Sequence, residues 1–148
     1  MYKNILITTD WSELAGRGID HGLALAKDLG ARVTLVTVSE PLNQRALQAA
    51  FGAGVSDPQS RYEITVAKEN KTNFAAIEER AKAAGVEIEL VEEFDDSPAE
   101  AIVRVAKLRG CDLIVMASHG RRGAARLLLG SQTLEVLSRI QIALLVVR

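Results

Sequence analysis

Strand-length apolar runs separated by helix-length patterns are the feature that most constrains this chain. Residues 32–38 are apolar on both alternating faces (Val33 and Leu35 on one, Val36 and Val38 on the other), and Leu113 to Met116 and Ile142 to Val147 contain no polar residue. Strands like these must be covered on both sides, which is the condition of a parallel sheet with crossover helices. The expected strands are 4–9, 32–38, 86–93, 112–117 and 142–147. Helices are expected from a Ser12 cap to Leu29, over 62–84, from a Ser97 cap to about Arg109, and over 131–139. Ser97-Pro98 with Glu100 reads as a capping box with proline at the first helical position. Gly30 and Gly85 are helix stops. Residues 40–61, with two prolines and two glycines, read as a mobile excursion in which 44–51 could form a helical turn or two.

The predicted fold class is therefore α/β. It is a doubly wound, Rossmann-like, five-stranded parallel sheet of assumed order 3-2-1-4-5 with helices on both faces, and residues 1–148 form a single domain. In such a sheet ligands sit beyond the strand C-termini, where the winding reverses. Here that place lies between strands one and four. Those strands run into the two most polar small-residue turns, Thr8-Thr9-Asp10 and Ala117-Ser118-His119-Gly120. After the second turn come a basic loop (Arg121, Arg122, Arg126) and Gly130-Ser131, immediately ahead of a helical pattern. Small residues let an anion approach the backbone, and a helix N-terminus supplies unpaired amides to receive it. This is the construction of a nucleotide-type phosphate site.

Composition narrows the partners. Lys and Arg number 18 against 19 Asp and Glu, without the basic excess of duplex nucleic-acid binders. No run approaches the ~20 apolar residues of a membrane helix. No secretory leader is evident at the start, and the lone Cys111 fits a reducing compartment, so the expectation is cytoplasmic. Cys111 reads as a small buried filler. The lysine of a Gly-x-x-x-x-Gly-Lys-Ser/Thr phosphate loop is missing, as are a zinc cluster and a nucleophile elbow. The chemistry expected is binding rather than fast catalysis. Strand five presents an apolar edge with no helix after it, a hazard that pairing with a second copy would remove. Ile142, Leu144, Leu145, Val146 and Val147 are the expected homodimer interface.

The spacing Ala117, two residues, Gly120, nine residues, Gly130-Ser131, together with the opening Thr8-Thr9-Asp10 and the closing apolar run, resembles the universal stress protein family. ATP-binding members of that family carry glycine at the position of Ala117. The resemblance implies a ligand, ATP or another adenine nucleotide, with Mg2+ or Mn2+ as companion ion. It places Thr8, Thr9 and Asp10 at the adenosine end, with the Asp10 carboxylate near the ribose hydroxyls or the metal, and Val38 against the adenine. Met116, Ala117 and Gly120 would follow the sugar and first phosphates. Gly130 and Ser131 would hold the phosphate chain through amides and hydroxyl, with Gln132 beside them. His119, Arg121 and Arg122 either contact phosphate or are a solvated loop. Trp11 either packs at the mouth of the sheet or stacks on the base, and Asp10 also suits the N-terminus of the first helix.

Three functions are compatible with these residues. One is a nucleotide-binding stress-response regulator with an unidentified regulatory protein partner. The second is a nucleotide-free dimeric adaptor or chaperone-like protein, its site closed by the Ala117 methyl. The third is a slow ATP hydrolase, at most a weak ATPase.

Overall fold

The computed structural model describes residues 1–118 and 129–148. Its strands β1 (Asn4–Thr9), β2 (Arg32–Ser39), β3 (Ile88–Phe94), β4 (Leu113–Ala117) and β5 (Ala143–Val147) form one sheet, parallel at every pairing, in the order β3-β2-β1-β4-β5. The expected order is met. The helices are α1 (Glu13–Leu29), α2 (Gln44–Gly52), α3 (Pro58–Ala84), α4 (Pro98–Leu108) and α5 (Ser131–Arg139).

The central strand explains the architecture. Ile5, Leu6 and Ile7 of β1 are wholly buried. Ile5 and Ile7 turn toward α1 and α3, joining Ile19, Leu23, Phe74 and Ile77. Leu6 turns the other way, toward Ile102 and Val105 of α4 and Val136 of α5. Two apolar layers on one sheet require helices on both faces, and each large aliphatic side chain buried there contributes about 1.5–3 kcal/mol.

Helix α1 begins and ends where the local chemistry dictates. Ser12 Oγ accepts from Ala15 N (3.2 Å), and Gly30 takes a left-handed φ of 65° while its N–H returns to the last turn. Its buried stripe is Ala15, Gly18, Ile19, Gly22, Leu23 and Ala26, whereas Leu29 is exposed. Gly22 is there for close approach: a Cβ would stand 2.4 Å from Ile7 Cδ1.

Four expectations need correction. The excursion after β2 contains a full nine-residue helix, α2, capped by Asn43 and packed on α3 without burying a residue of its own. α3 starts at Pro58, a turn before the expected residue 62, because proline suits the first helical position there as it does at Pro98. β3 begins at Ile88 rather than residue 86, although Val86 is still buried in the α1–α3 layer. The capping box at α4 is only half made: Ser97 Oγ accepts from Glu100 N, but the Ser97 N–H donates to Asp95 Oδ1 (2.8 Å). Glu100 pairs instead with Arg139 of α5 (3.3 Å).

Cys111 is buried as expected, and burial pushes its thiol up from the ordinary range. No helix among the described residues is long and apolar enough to cross a membrane.

Candidate functional site

The site is built by a parting of strands. β1 stays paired with β2 as far as Thr9–Thr37, and β4 stays paired with β5 as far as Ala117–Val147. Between β1 and β4 the ladder stops at Ile7–Val115. The last two residues of each strand therefore flank a crevice at the point where the winding reverses. The Thr8 and Ala117 turns lie on its two sides.

Side-chain alternation then sorts the candidates. Val38 and Met116 share the α4–α5 face, packed with Leu6 and Val36, and Thr8, two residues after Leu6, falls on that face half-exposed. Thr9 and Ala117 alternate onto the opposite, α1 face and are buried, so each offers the crevice its backbone. Thr9 Oγ1 is used locally, accepting from Trp11 N (3.0 Å). Alanine at position 117 meets no backbone strain here. Trp11 and Asp57 are the only non-glycine residues with positive φ among those described, so Ala117 has ordinary backbone, and its methyl lies on the face away from Met116. Gly18 of α1 gives it room, standing so that even a Cβ would reach only to 3.6 Å from Ala117 N.

Asp10 and Trp11 make the turn out of β1. Asp10 Oδ1 accepts from Ser12 N (2.9 Å), tying the carboxylate to the start of α1. Trp11 is left-handed (φ 64°), a conformation costing a residue with a Cβ roughly 1–2 kcal/mol. Its indole packs at the mouth of the sheet, edge-on to Phe74 with ring centroids 5.3 Å apart, and donates to Asn70 Oδ1 (2.9 Å). The packing expected of Trp11 is present.

Across the crevice, Gly130 caps α5 with extended backbone (φ −60°, ψ 153°), and no cap side chain accepts from the first turn. The amides of Ser131, Gln132 and Thr133 head that turn, and Ser131 is exposed. Such amides with the positive end of a helix are an anion receptor. Two of the expected phosphate-side residues already hold protein partners. The Gly130 N–H donates to the Ser118 carbonyl (2.7 Å), which ties the cap of α5 to the end of β4, and Gln132 Oε1 accepts from Ala99 N of α4 (3.1 Å). Sequence reasoning missed Thr133, whose buried hydroxyl donates to the Ala117 carbonyl (3.1 Å) and fastens α5 to the end of β4. A threonine two residues after Gly-Ser was the available signal.

His119, Gly120, Arg121, Arg122 and Arg126 lie outside the described residues. Among the described residues no group of three or more His, Cys, Asp or Glu side chains is placed to hold a metal ion. Of the expected interface, Val147 is already buried in the protein's own core, while Leu145 is exposed on the edge strand β5.

Comparison with known proteins gives a consistent result. The sequence model of the universal stress protein family matches residues 1–148. A universal stress protein from Thermus aquaticus is 30% identical over 148 residues, covering 100% of both chains. The universal stress protein MJ0577 of Methanocaldococcus jannaschii is 27% identical, covering 100% of this chain and 96% of its own. The solved MJ0577 structure superposes with a TM-score of 0.82 over 99% of this chain and 96% of that one. A universal stress protein solved in complex with cAMP is 25% identical, with a TM-score of 0.69 over 99% of this chain and 97% of that one.

Proposed function

This chain belongs to the universal stress protein family, and on that premise we propose that it is a regulatory protein that binds an adenine nucleotide, ATP among them, in the crevice between β1 and β4. The observation that carries the reading is the early parting of those strands beside a helix N-terminus capped by glycine. Val38 would form the apolar seat of the base, with Thr8, Asp10 and Met116 at the sugar. The Ala117 backbone, the Ser131 hydroxyl and the first amides of α5 would receive the phosphates. The relative solved with cAMP carries a ligand of the same class.

Mg2+ or Mn2+ would arrive with the phosphates, Asp10 being the nearby carboxylate, since the described residues do not assemble a metal cluster of their own. The reading is one of binding: the sequence lacks the phosphate-loop lysine that draws charge in phosphoryl transfer, so hydrolysis would at most be slow. The protein would act as a homodimer through β5, where Leu145 (38% exposed) is flanked in the chain by α5 with Leu134 and Leu137 (50% and 51%). Light scattering at micromolar concentration should give twice the chain mass, and a monomer would remove that part.

Calorimetric titration with ATP tests the central reading. Saturable heat is expected, and none at millimolar ATP would overturn it. One observation favours the nucleotide-free adaptor instead: the Gly130 amide and the Gln132 side chain already have protein partners. Purified protein that releases no adenine-absorbing compound on denaturation, and takes up no ATP afterwards, would decide for the adaptor.

A further inference from the structure

Trp11 is the single tryptophan of the chain, and it stands directly after Asp10 on the lip of the crevice. Its backbone is left-handed, which disfavours any residue with a Cβ, so its surroundings must hold it there. They do so from three directions. Thr9 Oγ1 takes its amide, Asn70 Oδ1 takes its indole N–H, and Phe74 meets its ring edge-on. An indole nitrogen can only donate, so this bond fixes which way the Asn70 amide faces. Asn70 is 3% exposed, and its Nδ2 is buried without a hydrogen-bond partner. A buried amide left half-satisfied calls for an explanation, and the satisfied half of this one holds the Trp11 indole.

Asn70 also marks a boundary in α3. From Asn70 onward the helix buries Phe74, Ile77 and Ala81 in the core, whereas before it only Pro58 is buried. The first twelve residues, about 18 Å of helix, expose Ile64 (68%), as α2, packed on α3, exposes Phe51 (62%).

We propose that Trp11 is a positioning residue for the nucleotide crevice. Locked onto Asn70 and Phe74, it sets where the Asp10 turn stands and makes the α2–α3 hairpin sense whether a nucleotide is bound. The proposal rests on the nucleotide reading above, and its test separates the two. ATP is titrated into wild type, Asn70→Leu, Trp11→Gly and Ile77→Val, with calorimetry, thermal unfolding, amide exchange and, where Trp11 is kept, its fluorescence as readouts.

In wild type, ATP is expected to shift Trp11 emission and slow amide exchange in residues 60–70. Asn70→Leu should bind ATP about tenfold more weakly and lose the emission change, the size expected for one lost hydrogen bond. Trp11→Gly accepts the left-handed backbone without strain, so a comparable weakening there shows that the side-chain anchor matters and not the turn conformation alone. Ile77→Val lowers the unfolding temperature as a core truncation but keeps wild-type affinity and emission response. Should Asn70→Leu fail to fold, Trp11→Phe keeps an aromatic ring but loses the indole donor and is expected to weaken ATP binding in the same direction.

Wild-type affinity in every folded anchor variant overturns the proposal, as does ATP binding that leaves Trp11 emission unchanged. A wild-type protein that gives no heat with ATP overturns the nucleotide reading itself, and this inference with it.

Discussion

Helices α4 and α5 start next to each other, and their N-termini are finished in opposite ways. At α4 the first-turn donors are accounted for. Pro98 has none, Ala99 N–H donates to Gln132 Oε1, Glu100 N–H to Ser97 Oγ, and the cap is itself held by Asp95. At α5 the cap is Gly130, which brings no acceptor side chain, and the helix is held laterally by the Thr133 hydroxyl on the end of β4. Gln132, in the first turn of α5, reaches across to close α4. One helix end is completed for stability, while the other is anchored from the side and its tip is left to the crevice. A terminus that receives an anion must forgo its side-chain cap.

Closing α5 in the manner of α4 breaks the comparison most severely. Gly130 has φ −60°, so the backbone accepts aspartate without strain, and Gly130→Asp supplies the missing acceptor. Stability should change by only a few tenths of a kcal/mol, because glycine is already a tolerable cap. ATP binding should weaken by about 2 kcal/mol, roughly 30-fold, through repulsion of the phosphates. Calorimetry beside a melting curve reads both, and unchanged affinity would mean that the phosphates lie elsewhere.

Loosening the lateral anchor comes next. Thr133→Val keeps the shape but strips the buried hydroxyl from the Ala117 carbonyl, and about 1.5 kcal/mol of stability should go with it. Opening the closed end is smaller still. Ser97→Ala should cost about 1 kcal/mol, a drop of roughly 3 °C in melting temperature, with ATP affinity intact. An affinity loss there would show that the two ends are not separate in function.

The smallest effect is electrostatic. The N–H of Ser97, and then Arg104, hold the Asp95 carboxyl below the ordinary carboxylate range. The unfolded chain therefore takes up that proton first, at about pH 4. The stabilisation from Asp95 is fully present above that pH and is lost as pH falls through the lower folded value. Thermal unfolding between pH 3 and 7 should show a shallower acid limb in Asp95→Asn, its deficit against wild type constant near neutrality and shrinking as pH falls.

What could be read without coordinates was what neighbours along the chain decide. Ser12 and Gly30 bound α1 as expected because capping and left-handed glycine are settled within one turn. The strands were legible because runs apolar on both faces have no stable place outside a covered sheet. Local reading failed where two local signals competed. Pro58 starts α3 as Pro98 starts α4, but glycines and serine around it read as loop, and α2 lies in a stretch rich in helix breakers, held by packing on α3.

The residue types at the crevice, Asp10, Ala117, Gly130 and Ser131, and the turns that carry them, follow from sequence alone, since each depends on backbone chemistry a few residues long. The tertiary structure alone decided how they are used. Strand pairing parts β1 from β4 after Ile7 and Val115, and pleating turns the Ala117 methyl onto the face opposite Met116. Packing lends Gln132 to α4 and locks Trp11 onto Asn70, 59 residues away along the chain. Each of these is a choice of partner across space, and a hydrogen bond is made with whichever group the fold brings within 3 Å, which no local pattern specifies.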